Sequence, residues 1–260
     1  MGLRVRYLWR MGRPTESTVL ADARECAAET LHSARLHSAT EYFALLLDRA
    51  TRAAERGDYG IAAAAVMCSD GVEVVSIGTN SMTTHGDPTG HAEIGALRQI
   101  AALSRNSPRA ETSRASVWDS PTDALDTGTN LLTRSASIAR SDLTVYATLE
   151  PCPMCTVALI NAGVDRVVVA VADPRAGALA PEHLSRLAPL WPEMVARRRI
   201  QIEFLEPQTS ASSHEMSIPR ALIENLKMVF DLTRTQLDGH LAKHGVLDFE
   251  TIAKRVRHQP

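Results

Sequence analysis

Apolar positions change period several times along this chain, and those changes mark its elements. Residues 15 to 56 are rich in Ala, Leu, Glu and Arg and contain neither Gly nor Pro. Leu46, Ala50 and Ala53 fall on one helical face, and Gly57 supplies a C-terminal stop. Ile61 to Cys68 is a run of small apolar residues, followed by Ser69-Asp70-Gly71 and a second apolar run from Val72 to Gly78. An apolar run on each side of a tight polar turn predicts a β-hairpin. The first run holds four consecutive alanines, poor strand formers, so something is expected to pack closely over it. A polar loop over 79–88 leads into a predicted helix at about 91–103. Residues 104–137 break the rhythm: about a third are Ser or Thr, with Pro108, Pro121 and Gly128 among them, which reads as a surface insertion. The pattern then predicts a strand at 143–149, a helix at 153–162, a strand at 166–171 and a helix at about 181–197. A strand at 200–204 and an amphipathic helix at about 219–243 complete it. Beyond the hairpin, strands and helices alternate, so the class is α/β with a mixed core sheet.

Composition narrows the partners. Twenty-eight Lys plus Arg against 30 Asp plus Glu leave a net charge of −2, which argues against a dedicated basic platform for nucleic acid. Three Trp, four Tyr and four Phe are few for a binder built on repeated base stacking. Hydrophobic residues at 45% and charged ones at 22% fit a soluble globular chain. Four cysteines are too few for a disulfide scaffold. No apolar run approaches the ~20 residues that span a bilayer, and the first ten residues form no secretory signal. A cytoplasmic location and no membrane partner are therefore expected. The Arg-rich opening fits either a targeting peptide or a start placed upstream of Met11.

Candidate chemistry lies in two short stretches, Asp87-Pro-Thr-Gly-His91-Ala92-Glu93-Ile94 and Thr148-Leu-Glu-Pro151-Cys152-Pro-Met-Cys155. A lone Cys-x-x-Cys is equally a redox pair or half of a zinc ribbon, and a lone His-x-Glu is commonplace. Together they match the zinc deaminase signature, His-x-Glu followed by Pro-Cys-x-x-Cys. Each half is predicted where the chain runs into a helix, and the partial positive charge of a helix N-terminus favours thiolates at Cys152 and Cys155. Pro151 and Pro153 suit the turn into the first helical turn. One imidazole and two thiolates are three of the four ligands zinc prefers, leaving a position open for water, as in a catalytic site. Two thiolates also weaken the acidification of that water, so a nearby proton acceptor is needed, and Glu93 is placed to be one. By itself Glu93 would read as a surface carboxylate in a first helical turn.

At these residues the chain resembles the cytidine deaminase-like superfamily, closest to the branch of bacterial tRNA adenosine deaminases and guanine deaminases. The likeness extends to Asn80, to Arg166-Val-Val-Val169 and to Asp173-Pro-Arg-Ala-Gly-Ala178, and covers roughly residues 40–204 apart from the insertion. It implies a three-layer α/β/α sandwich around a mixed five-stranded sheet, and a homodimer. It implies Zn²⁺ held by His91, Cys152 and Cys155, with Glu93 as the catalytic proton shuttle. The reaction would be hydrolytic deamination: activated water attacks an amino-bearing ring carbon, Glu93 moves the protons and ammonia leaves. Asn80 matches a position that contacts base or sugar, and the Ala92 backbone N–H one that meets a ring substituent. Asn80 also fits a plain turn residue, and Asp87 reads as a cap.

Departures from the family bear on substrate. Gly60-Ile-Ala-Ala63 stands where the tRNA enzymes carry Pro-Val-Gly-Ala, and Leu179-Ala-Pro-Glu182 stands where they tend to carry Gly-Ser. Fifty-eight positions separate Glu93 from Pro151, more than in compact members. Val169 to Pro174 echoes riboflavin-pathway deaminases, whose cysteines are spaced more widely. Three functions follow: deamination of a free nucleobase or nucleoside, purine type favoured; deamination of tRNA adenosine; or a non-catalytic zinc module for assembly. Charge, scarce aromatics and these departures favour the small-molecule enzyme. The Arg-rich start and Lys254-Arg-Val-Arg-His258 are the basic arms a tRNA enzyme would use. Glu93, superfluous in a structural site, speaks against the third reading. Cys26, Cys68 and His85 read as ordinary residues, and Trp118 as an anchor for the insertion or a lid. The chain thus divides into an N-terminal extension 1–39, a deaminase core 40–204 with insertion 104–137, and a C-terminal helical region 205–260.

Overall fold

Thr15 opens the first helix by accepting the Thr18 N–H on its side chain, and α1 runs Glu16–Ser33. The computed structural model describes residues 15–69, 72–105, 132–135, 142–205 and 218–246. The Arg-rich start, Trp118 and the basic tail lie outside them. The Ala- and Leu-rich stretch is two helices, because the chain turns before α2 (Ala39–Glu55). His37 takes a left-handed φ of 61° there. Ser38 accepts the Glu41 N–H, and the Glu41 carboxylate reaches back to the His37 N–H at 2.7 Å. That reciprocal cap is written in the sequence as Ser38-Ala-Thr-Glu41. Gly57, at φ 90°, ends α2 where expected.

The hairpin forms as predicted: β1 (Ala62–Ser69) pairs antiparallel with β2 (Val72–Thr79), Ser69 opposite Val72 and Ala62 opposite Thr79. There follow α3 (Met82–His85), α4 (Ala92–Arg105), β3 (Leu132–Ser135), β4 (Asp142–Leu149), α5 (Pro153–Ala162) and β5 (Arg166–Val171). The stretch at 181–197 is two helices, α6 (Pro181–Leu184) and α7 (Leu190–Arg198); Pro189 caps the second. Then come β6 (Gln201–Phe204) and α8 (Arg220–His244).

Strand order is β3-β2-β1-β4-β5-β6, with β4, β5 and β6 parallel and the remaining pairs antiparallel. The mixed five-stranded core sheet is present, and β3, from the stretch read as an insertion, adds a sixth strand at its β2 edge. Helices α2 and α8 cover one face, with α1 packed across both. Helices α4 and α5 lie over the other face, α7 beside α5. The alanines of β1 now have their reason. Ala62 and Ala64 pack with Phe43 and Leu47 of α2, while Ala65 packs with Ala96 and Ile100 of α4. Small side chains let helices approach from both sides. Gly78 takes this furthest: a Cβ there would lie 2.0 Å from the Ala92 carbonyl oxygen and 2.5 Å from the Ala96 nitrogen. The Ser76 hydroxyl donates to the Ala96 carbonyl at 2.8 Å and fixes the contact. So α4 begins directly over the end of β2. Among the described residues no helix is long and apolar enough to cross a membrane.

Candidate active site

One edge of the sheet gathers the start of β1 and the ends of β2, β4 and β5, because β1 runs antiparallel to β2 and β4 while β5 follows β4. A cavity of about 420 Å³ lies there, off the carboxyl ends of the parallel strands where open α/β sheets hold ligands. Asn80, His91, Ala92, Glu93 and Cys152 line it.

His91 sits one residue before α4, its carbonyl accepting the Gly95 N–H, and so occupies the cap position. Asp87 prepares that entry by accepting the Thr89 N–H at 2.8 Å and the Thr89 hydroxyl at 2.7 Å. Asp87 therefore caps the turn ahead of His91 rather than the helix itself. Cys152 is the N-cap of α5, Pro153 takes the first helical position, and Cys155 lies one turn in, fully buried. Two helix N-termini thus bring together donors from distant parts of the chain. Cys152 Sγ lies 3.6 Å from His91 Nδ1, and one donor atom from each of His91, Cys152 and Cys155 falls within 4.8 Å of the others. Among the described residues this is the one such cluster. An imidazole and two thiols at that spacing, backed by positive helix ends, are a donor set that fits zinc. Cys26 and Cys68 are free thiols elsewhere, and His85 is exposed on α3.

Charge is unevenly shared in the cluster. The Cys155 thiol hydrogen-bonded to it, and then His91, pull Cys152 down to about 4 against the cost of burial. Cys152 and burial together push Cys155 well up. The hydrogen bond to Cys152 raises His91. Glu93, in the first turn of α4 and 3% exposed, is raised chiefly by burial. Asn80 is 2% exposed; its N–H donates to the Ile61 carbonyl at 2.9 Å and its Oδ1 accepts the Met82 N–H at 3.2 Å. It is a turn residue that also lines the cavity. Ala92 is fully buried, the first residue of α4, with an N–H that has no partner within the helix.

Several cavity residues have no role assigned by the sequence, although Glu150 and Arg175 lie within the stretches that carry the family likeness. Glu150, two residues before Cys152, is buried and accepts the N–H groups of Asp173 (3.0 Å), Leu179 (2.9 Å) and Ala180 (2.8 Å), with His183 Nδ1 at 2.9 Å. Burial alone would raise this carboxyl, yet these partners hold it below the usual range. Gly177 lets the loop close on it, since a Cβ there would lie 2.2 Å from Glu150 Cδ. Helix α8 contributes Phe230, Arg234, Asp238 and Leu241 to the cavity, and Tyr59 and Arg175 meet it there. Their spacing of four, four and three places the α8 residues on one face, but nothing in that pattern distinguishes them from core and surface positions.

Comparison with known proteins agrees with this chemistry. The profile of the cytidine and deoxycytidylate deaminase zinc-binding region matches residues 37–171, and that of the MafB19-like deaminases matches residues 129–226. A tRNA(Ile)-lysidine synthase from Deinococcus radiodurans is 36% identical over 130 residues, half of this chain but 17% of the relative. A tRNA-specific adenosine deaminase from Haemophilus influenzae is 29% identical over 133 residues, 51% of this chain and 58% of the relative. The chain thus spans less than two thirds of the length of these relatives. Among solved structures, a guanine deaminase from Nitrosomonas europaea aligns over 85% of this chain and 96% of its own, at 19% identity and a TM-score of 0.47. A structure from work on tRNA:A34 deaminases aligns over 64% of this chain and 98% of its own, at 22% identity and a TM-score of 0.40. The profile match covers more than half of the chain and includes His91, Glu93, Cys152 and Cys155: the chain belongs to the cytidine and deoxycytidylate deaminase zinc-binding family, and its metal is Zn²⁺.

Proposed function

We propose that this chain is a hydrolytic deaminase that releases ammonia from an amino-substituted nucleobase or nucleoside, a small molecule of purine type. The observation that carries the reading is the Glu93 carboxylate, buried in the cavity wall beside His91, Cys152 and Cys155. A site that only held metal for assembly would have no use for a buried carboxylate next to the donor cluster. His91, Cys152 and Cys155 would hold the ion, which when bound supplies Lewis-acid activation of a water molecule. Glu93 would take a proton from the attacking water and give it to the ring nitrogen as the water oxygen bonds to the amino-bearing carbon, and would then carry the added hydroxyl's proton to the amine, whose C–N bond breaks to release ammonia. The ring lies between Ile61, Leu149 and Phe230, which exclude water from around it. Asn80 and the Ala92 N–H meet its polar edge. A homodimer is part of the reading, as the family resemblance implies.

The relative named as a tRNA-specific adenosine deaminase supports a second reading, deamination of adenosine in tRNA. One experiment separates the two: ammonia release by the zinc-loaded chain on bases, nucleosides and tRNA, beside Glu93→Gln. Turnover of a small molecule, lowered by about 10²–10⁴-fold in Glu93→Gln with zinc retained, is the expected result. Full activity in Glu93→Gln overturns the mechanism. Turnover of tRNA alone moves the assignment to the second reading.

A further inference from the structure

The cavity is larger than a ring and its polar edge require, and its remaining wall is built by α8. That helix is fixed in register against the start of β1. A Cβ on Gly60 would lie 2.5 Å from Val229 Cγ1, and the buried Thr233 hydroxyl accepts the Gly60 N–H at 2.9 Å. With α8 seated this way, Phe230, Arg234, Asp238 and Leu241 face the same cavity as Glu93. Asp238 is held from two sides: the Tyr59 hydroxyl donates to Oδ1 at 2.7 Å, and Arg175 Nη1 donates to Oδ2 at 3.2 Å. Each carboxylate oxygen has acceptor capacity beyond that one bond. An ionised carboxylate only accepts, and two adjacent oxygens match the paired hydroxyls of a ribose.

Charge argues for a sugar rather than a phosphate. Arg175 is paired with Asp238, and Arg234, which stands 5.0 Å over the Phe230 ring, is paired with Asp231 at 3.0 Å. Among the described residues no guanidinium of this wall is left without a carboxylate, and a phosphate would meet Asp238 directly. Resting on the deaminase reading above, we propose that Asp238, braced by Tyr59 and Arg175, is a ribose-hydroxyl subsite and that the substrate is a nucleoside rather than a free base or a nucleotide.

The test uses the zinc-loaded full chain with adenine, guanine and cytosine, their ribonucleosides, the 2′,3′-dideoxynucleosides and the 5′-monophosphates. The ribonucleoside should exceed its base and its monophosphate in kcat/KM. Removing both hydroxyls should lower kcat/KM by about 10–100-fold, chiefly through KM. Asp238→Ala should show a loss of that size on the ribonucleoside and no further loss on the dideoxynucleoside, and the isosteric Asp238→Asn should shift in the same direction. An equal loss from Asp238→Ala on ribonucleoside and dideoxynucleoside would make the residue merely structural and overturn the subsite. Preference for the free base or the monophosphate overturns it also. Should nothing in the panel release ammonia, the deaminase reading fails, and calorimetry then judges the subsite alone. Tighter binding of a ribonucleoside than of its dideoxy form, abolished in Asp238→Ala, supports it; equal affinities overturn it.

Discussion

The two ends of the cavity are built on different plans. At the metal end, side chains 61 positions apart meet because each sits at a helix N-terminus, and the helix ends stabilise the charge the chemistry needs. At the α8 end, Tyr59 and Asp238 meet across 179 positions through a helix seated by one close approach and one hydrogen bond. The first plan constrains residue type: few side chains other than His and Cys serve at a tetrahedral zinc. The second constrains only position, since Tyr, Arg and Asp are ordinary anywhere. The metal end is thus fixed by rare residues in local motifs, and the α8 wall by common residues placed by the fold.

The largest effect should come from the metal end. Cys152→Ala removes the donor that stands 3.6 Å from His91 Nδ1, and a chelator removes the ion itself. Either should abolish ammonia release, and metal analysis should find Cys152→Ala nearly empty of zinc where the parent holds one ion per chain. Because the ion binds the folded chain, its removal should also lower Tm; at 1,000-fold excess over Kd the linkage is worth about 4 kcal/mol. A Cys152→Ala protein that kept a full equivalent of zinc would break the division between the two ends.

Glu150 joins the ends, since it lies beside Cys152 on one side and holds the loop that carries Asp173 and Arg175 on the other. Glu150→Gln turns one acceptor oxygen into a donor that faces backbone N–H groups. Breaking so buried a set should cost about 3 kcal/mol, a fall in Tm of roughly 6–12 °C, with zinc content intact. A Tm within 2 °C of the parent would show that the loop holds its place without Glu150.

Legibility followed the same division. His91, Glu93, Cys152 and Cys155 were visible because zinc hydrolysis needs those types at those spacings, and the structure brings all four together. The hairpin was visible in Ser69-Asp70-Gly71 between apolar runs, and β5 in its continuous Val and Ala. Other features depended on context. The turn before α2 is hidden in a helical composition, although Ser38-Ala-Thr-Glu41 marks it. Strand β3 sits in a Ser- and Thr-rich stretch and is a strand only because the edge of β2 offers it a ladder. The face of α8 was legible as amphipathic, but which neighbour it would cover was not. That depends on Gly60 admitting Val229, a steric fact with no sequence period.

The smallest effect tests that seating. Thr233 is buried; its hydroxyl accepts the Gly60 N–H at 2.9 Å and donates to the Phe230 carbonyl at 3.0 Å. Thr233→Val keeps the shape and removes the hydroxyl, leaving the buried Gly60 N–H without its acceptor. The cost should be about 1–2 kcal/mol, a fall in Tm of roughly 2–8 °C. The metal end is reached through α4 and α5, neither of which Thr233 touches through a hydrogen bond, so zinc stoichiometry should stay at one per chain. At the other end Asp238 lies five residues further along the same helix, so a small shift of α8 moves its carboxylate away from Tyr59 and Arg175. Ribonucleoside KM should therefore rise by about 2–5-fold while kcat stays near the parent value, because weaker seating costs only part of a hydrogen bond to a charged group. A fall in kcat with unchanged KM would mean that α8 bears on the metal end after all, and the two ends would have to be treated as one.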